Sequence, residues 1–153
     1  SYDWQLNPLV EIEKTATTTT RTTTNTYLDD GRLNTQTVQA TGLQTFVTTN
    51  TYDPTTLQQT GTSQTVDGVT NGQTTTTYDA FGRQTSYTNT LGDTETTNYV
   101  PEGQLAAGSV ASTTNPAGTT TYTYNADGTV ATSVRNGVTR TYTYSAGRLT
   151  GIA

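Results

Sequence analysis

The sequence predicts an all-β protein built of stacked antiparallel hairpins, each roughly 20–26 residues long, forming a spiral or solenoid-like sheet with almost no helix. Three observations predict it: a recurring tyrosine, a turn signal after each tyrosine, and threonine in between. Tyr27, Tyr52, Tyr78, Tyr99, Tyr124 and Tyr144 follow one another at intervals of about 20 to 26 residues, and a period of that size marks a repeat architecture. The segments they open read YLDDGRL, YDPTTL, YDAFGRQ, YVPEGQL, YNADGTV and YSAGRL. Gly31, Gly82, Gly103 and Gly128 lie four residues after their tyrosines, Gly147 lies three after, and the second repeat carries Asp53-Pro54 instead. Threonine supplies 44 of the 153 residues. Its branched Cβ favours extended backbone, and its hydroxyl competes for backbone hydrogen bonds in a helix.

Residues 1–14, SYDWQLNPLVEIEK, stand apart: they hold the only Trp and the only Lys, with Leu9, Val10 and Ile12 close together. This segment reads as an atypical capping strand, as a docking strand that offers Trp4, Leu9, Val10 and Ile12 to a neighbouring subunit, or as the tail of a preceding repeat. Terminal units of repeat proteins are commonly atypical. Residues 15–153 form the repeat region. Its opening tract, TATTTTRTTTNT at 15–26, leads into Tyr27 as the later threonine tracts lead into theirs, and reads as one long strand.

From Tyr27 onward each repeat has a turn, an outgoing strand, a second turn and an incoming strand that ends at the next tyrosine. The second turns fall at Thr41-Gly42, at Asp67-Gly68 or Asn71-Gly72, at Leu91-Gly92-Asp93, at Asn115 to Gly118, and at Asn136-Gly137. These are residues that accept positive or preset φ. In TTTYTYN and TRTYTYS, period-2 alternation puts Tyr122 with Tyr124, and Tyr142 with Tyr144, on one face and threonines on the other. Leu33, Leu57, Leu105, Val130 and Leu149, five or six residues past their tyrosines, extend the inward set. Burying such a side chain yields about 1.5–3 kcal/mol, while ordering one residue costs about 1.5 kcal/mol. A single hairpin therefore cannot hold itself folded, and stability must come from its neighbours.

Only 29% of residues are hydrophobic and 12% are charged, with mean hydropathy −0.62, which suits a secreted structural chain better than a cytosolic enzyme. A net charge of −5, with Lys14 and six scattered arginines, offers no cationic face to nucleic acid. No apolar run approaches the length that a membrane span requires, and there is no signal-peptide core. The first residue is Ser1, as expected of a processed chain or a piece of a longer one. Without Cys or His, the common nucleophile–base pairs and soft metal sites are missing, and no catalytic, cofactor or metal residue is assigned. Asp29-Asp30, Asp53, Asp79 and Asp127 read as turn residues capping their own backbone rather than as glycosidase acids or calcium ligands. Arg32, Arg83 and Arg148 read as stacked on a tyrosine or paired with a turn aspartate of the adjacent repeat. Phe81 and Tyr87 lie outside the anchors and read as exposed aromatics.

The units YDAFGRQTSYTN, YLDDGRLNTQT and YTYSAGRLTGI resemble the YD-repeat, or Rhs-repeat, family over residues 25–153. Asp follows the anchor directly at Tyr52-Asp53 and Tyr78-Asp79, and Gly-Arg is kept at Gly31-Arg32, Gly82-Arg83 and Gly147-Arg148. The resemblance implies a long spiralling β-sheet of the kind that forms shells around toxin polypeptides and adhesion barrels in teneurin-like receptors. The resulting expectation is a non-enzymatic extracellular or cell-surface scaffold. It self-associates head-to-tail through β-edges into a filament, or is a segment of a larger secreted Rhs-type shell. The alternative is an adhesion module binding a glycan or receptor. Tyrosines exposed in a row favour sugar binding; inward ones favour scaffold.

Overall fold

The structure, a computed structural model, describes residues 1–15 and 18–153. The described residues contain strands and turns and no helix, as the threonine content predicts. The chain forms two compact units, residues 1–76 with 89–92, and residues 77–88 with 93–153. In the first lie β1 (Val10–Thr15), β2 (Thr18–Tyr27), β3 (Leu33–Ala40), β4 (Phe46–Tyr52), β5 (Gln59–Val66) and most of β6 (Val69–Tyr78). The second holds β7 (Gln84–Thr88), β8 (Thr94–Tyr99), β9 (Val110–Asn115), β10 (Gly118–Tyr124), β11 (Val130–Arg135), β12 (Val138–Ser145) and β13 (Arg148–Ile152). Within each unit every strand runs antiparallel to its sequence neighbours, so the hairpins stack side by side. The tract expected as one strand over 15–26 divides: Thr15 ends β1 and Thr18 begins β2, while Ala16 and Thr17 lie outside the described residues.

The pairing register slips by one residue at Tyr27, Tyr52, Tyr99, Tyr124 and Tyr144. A bulge of this kind bends the strand and re-aims the side chain that follows. Between Asp67-Gly68 and Asn71-Gly72, the hairpin uses the former, with φ of 50° and 80°, the type I′ geometry that fits the twist of flanking strands. Asn71-Gly72 lies inside β6, where Gly72 leaves room for the side chain of Thr90.

The two faces alternate as expected. In β10, Thr119, Thr121 and Thr123 are exposed while Tyr122 and Tyr124 are half-buried, and β12 repeats this with Tyr142 and Tyr144. On the exposed face threonine hydroxyls pair across strands, Thr26 with Thr35 at 2.7 Å, Thr88 with Thr94 at 2.9 Å and Thr123 with Thr132 at 2.6 Å. Such cross-strand pairs contribute a few tenths to about 1 kcal/mol each.

The inward aliphatic stripe is not as expected. Leu33 and Val130 are half-buried, but Leu57, Leu105 and Leu149 are exposed. Leu57 occupies the positive-φ position of its turn (φ 62°), Leu105 sits in a longer loop, and Leu149 lies on a strand that, among the described residues, is paired on one side only. No hydrophobic side chain among the described residues is buried; the buried ones are Thr23, Asn25 and Ser133. The inner face of the first unit is instead tied by amides. Gln36 Nε2 donates to Asn25 Oδ1 at 3.1 Å, and Gln59 Nε2 and Thr62 Oγ1 donate to Asn50 Oδ1 at 3.0 and 3.2 Å. Buried polar groups must be paired in this way to avoid a desolvation cost of about 1–3 kcal/mol each.

Two glycines separate two reasons for glycine here. Gly92 has φ of 87° with open space around it, whereas a Cβ on Gly61 would lie 2.8 Å from the Thr74 carbonyl oxygen and 2.9 Å from Thr51 Oγ1. Gly92→Ala is expected to cost about 1–2 kcal/mol, the left-handed penalty, and Gly92→Asn less. Gly61→Ala should cost more than Gly92→Ala because backbone must move. Urea unfolding of the three variants checks the order.

Candidate functional site

The recurring site is the junction between repeats, beginning at the turn after each tyrosine. In the third repeat the Asp79 amide donates to the Arg83 carbonyl at 2.9 Å, and the Gly82 amide donates to the Asp79 carbonyl at 3.0 Å. Residues 28–32 and 125–129 close identically, with Gly31 and Gly128 in the place of Gly82. In the fourth repeat, Gly103 has a φ of 79°, but the loop runs on, and Gly108 with Ser109 makes the closing pair with Val100. The turn acids cap their own backbone, as expected. Asp79 Oδ1 accepts the Phe81 and Arg83 amides, Asp53 Oδ1 the Thr55 and Thr56 amides, and Asp127 Oδ1 the Thr129 amide. Asp30 Oδ1 accepts the Arg32 amide at 3.1 Å.

This bonding fixes the charge of the acids. Hydrogen bonds from the Arg32 side chain, then from its backbone amide, hold the Asp30 carboxyl below its ordinary value of 3.8. At Asp79 desolvation pushes upward, but the Arg83 side chain and the turn amides outweigh it and the carboxyl is again lowered. Asp53 and Asp127 are lowered by their own turns. A general acid at neutral pH needs the opposite shift.

The arginine then reaches to the next repeat. Its Nε binds its own repeat's aspartate, Arg32 to Asp30 at 2.8 Å and Arg83 to Asp79 at 2.7 Å. The expected stacking on a tyrosine occurs at Arg32 and Arg83, with the ring supplied by the next repeat, but the paired aspartate belongs to the same turn and not to the adjacent repeat, because the short turn brings its own acid within reach of Nε. The Arg32 guanidinium lies 4.3 Å from the Tyr52 ring centroid, and that of Arg83 lies 4.1 Å from Tyr99 and 5.0 Å from Phe81. Nη1 also donates to the carbonyl of a positive-φ residue in the next turn, Arg32 to Leu57 at 2.7 Å and Arg83 to Gly108 at 3.3 Å.

The tyrosine answers in the other direction. The Tyr52 hydroxyl donates to the Leu33 carbonyl at 2.8 Å, Tyr99 to Gln84 at 2.7 Å and Tyr124 to Val110 at 2.6 Å, in each case the first or second residue past the preceding turn. Asn50 adds a second donor to Leu33 at 3.2 Å. All six anchor tyrosines are half-buried. Burial of Tyr124 raises its hydroxyl pKa.

The N-terminal segment carries the same geometry. Tyr27 and Asn25 both donate to the Pro8 carbonyl, at 3.1 and 2.9 Å, as Tyr52 and Asn50 do to Leu33. Asp3 Oδ1 accepts the Gln5 and Asn7 amides, and Leu6 takes the glycine position at φ 67°. Sequence reasoning missed this turn, although Tyr2-Asp3 precedes Tyr27 by the same interval that separates Tyr27 from Tyr52. Of the proposed contact residues, Trp4 is 86% exposed and Ile12 is exposed, while Leu9 and Val10 are half-buried. Phe81 and Tyr87 are exposed, as expected.

No family model and no curated protein matches the chain. Solved structures do match. The crystal structure of TcdB2-TccC3-TEV aligns with TM-score 0.61 and 22% identity over 81% of this chain. The structure of the Photorhabdus luminescens Tc holotoxin pore with the TccC3-D651A mutation aligns with TM-score 0.59 and 23% identity over 80%. This chain spans 6% of each of those chains. The fold is Rhs/YD-repeat-like, in agreement with the resemblance in the turn motifs.

Tyr52→Phe should lower stability by about 1 kcal/mol, the worth of one hydrogen bond, and Arg32→Ala should lower it as well. In a double-mutant cycle of Arg32→Ala with Tyr52→Ala, followed by urea unfolding, the combined loss should fall short of the sum of the single losses, because both remove the same contact. Because the turn carboxyls are lowered in the folded state, their stabilisation is present above 3.8 and lost as pH falls through the folded values. Unfolding midpoints are therefore expected to stay level from neutral pH down to about 4 and drop below it, and Asp30→Asn with Asp79→Asn should flatten that drop.

Proposed function

We propose that this chain is a stretch of non-enzymatic structural scaffold, outside the cell or at its surface, that belongs to a larger wall of Rhs-type repeats. The observation that carries this reading is the orientation of the anchor tyrosines: all six are half-buried, and the hydroxyls of Tyr27, Tyr52, Tyr99 and Tyr124 are bound to the preceding repeat, so among the described residues they suit holding repeats together better than presenting a row of free rings to a sugar. The turn carboxyls, engaged and lowered, suit the same role better than acid–base catalysis. The small share of the similar chains that this one spans is also in keeping with a segment. A head-to-tail filament is a finer form of the same proposal, with the exposed Trp4 and Ile12 of the N-terminal segment as contact points.

One observation favours the adhesion alternative. Phe81, 68% exposed, borders an open pocket of about 340 Å³ with Arg83, Tyr99, Pro101 and Glu102. A glycan or receptor fragment bound there would lose affinity on Phe81→Ala, as titration on a glycan array would report.

The scaffold reading is tested by lengthening the chain. In-frame duplication of residues 53–78 should yield a folded protein whose urea m-value rises with the added surface. A variant that unfolds or loses cooperativity would argue for a fixed globular architecture and against a repeat wall.

A further inference from the structure

Strands that follow a tyrosine turn are outgoing, and those that end at a tyrosine are incoming. Every pairing within the two compact units joins one kind to the other. At the C-terminal edge stands β13, an outgoing strand paired to β12 alone among the described residues. β1 also follows a tyrosine turn, that of Tyr2, and is likewise outgoing. Setting β1 of one molecule against β13 of another would place two outgoing strands side by side in parallel, a pairing this fold does not use. The strand that fits β13 is an incoming one.

The β13 edge also carries an unfilled half of the junction. Tyr144 pairs with Leu149 as Tyr27 pairs with Leu33, so Arg148 holds the register position of Arg32. Arg32 is engaged by Asp30, the Tyr52 ring and the Leu57 carbonyl. Arg148 is exposed, its turn is Ser145-Ala146-Gly147 without an acid, and its guanidinium has no partner among the described residues. Leu149 and Ile152 beside it are exposed as well.

We infer that the β13 edge is a docking site for a threonine-rich incoming strand ending in a tyrosine turn, supplied by a further repeat of this kind. On docking, the incoming tyrosine ring lies over Arg148 and its hydroxyl donates to the Leu149 carbonyl. An asparagine two residues before the tyrosine shares that carbonyl, as Asn50 does at Leu33. Arg148 Nη1 donates to the positive-φ carbonyl of the incoming turn. Strand addition at an open edge supplies affinity through main-chain hydrogen bonds, and the arginine and carbonyl supply selectivity. This rests on the scaffold reading.

The probe is a labelled peptide of residues 45–58, TFVTTNTYDPTTLQ, which contains Asn50, Tyr52 and Leu57, titrated into the whole chain by fluorescence anisotropy. Saturable binding is expected, with hydrogen-exchange protection of the amides of residues 148–152. Arg148→Ala in the protein, or Tyr52→Ala in the peptide, should weaken binding roughly tenfold, and Tyr52→Phe in the peptide roughly fivefold. Circular dichroism of the Arg148→Ala protein should be unchanged, because the exposed guanidinium has no partner among the described residues. Absence of protection at 148–152, or equal binding by the Arg148→Ala protein, overturns the assignment. So does self-association of the chain through 148–152 that the peptide fails to displace, which would make a second copy the occupant. None of these outcomes alters the coupling of Arg32 to Tyr52, so the docking site can fall while the scaffold reading stands. Loss of that coupling would remove both.

Discussion

A single hairpin of this chain cannot bury enough apolar surface to offset the entropy of ordering itself, so everything depends on the contact between one repeat and the next. That contact is made by a tyrosine hydroxyl reaching back to a carbonyl beside the preceding turn, and an arginine from that turn reaching forward over the tyrosine ring. The other recurring features serve it. The bulge at the tyrosine aims the ring, the turn glycine lets the chain reverse within a few residues, and the turn aspartate holds the arginine by its Nε. The arginine lies five residues after the tyrosine at both Arg32 and Arg83, and there the complete junction recurs, with the tyrosines that follow, Tyr52 and Tyr99.

The same economy explains the composition. With no buried hydrophobic side chain among the described residues, the sheet relies on ladder hydrogen bonds, amide chains on the inner face and paired threonine hydroxyls on the outer one. Each such interaction nets only about 1 kcal/mol, but they are numerous and regularly placed. Threonine suits this role twice over, since its branched carbon favours the strand and its hydroxyl finds another hydroxyl across it. Leaving Leu57, Leu105 and Leu149 of the expected stripe exposed is tolerable in such a design, because no central core needs them.

A structure that grows by adding similar junctions has no natural stopping point inside the motif. Arg148 is the clearest sign, an arginine in the junction position with nothing described to receive it. The function proposed for the chain follows from that physical situation: its junction chemistry suits further repeats better than a small molecule. The Phe81 pocket is the main feature that points outward.

Period, strand content, hairpin turns and the division into a tyrosine face and a threonine face were legible in the sequence, because each depends on residues close together in the chain. Asp67-Gly68 can adopt two consecutive positive φ angles, and TYTY alternates with period two, whatever lies elsewhere. The sequence also pointed to a role for Arg32 and Arg83, but not to which acid and which ring. The acid is a local partner within the same turn, whereas the ring depended on the bulge and on register with a strand a full repeat away, which only the tertiary structure decided. For the same reason the Tyr2 turn went unseen: with Leu6 in the glycine place and Asn7 in the arginine place, its identity lies in hydrogen bonds rather than in letters. Local propensity determined that this chain would be hairpins. Long-range register decided that a polar ladder, rather than an aliphatic stripe, would join them.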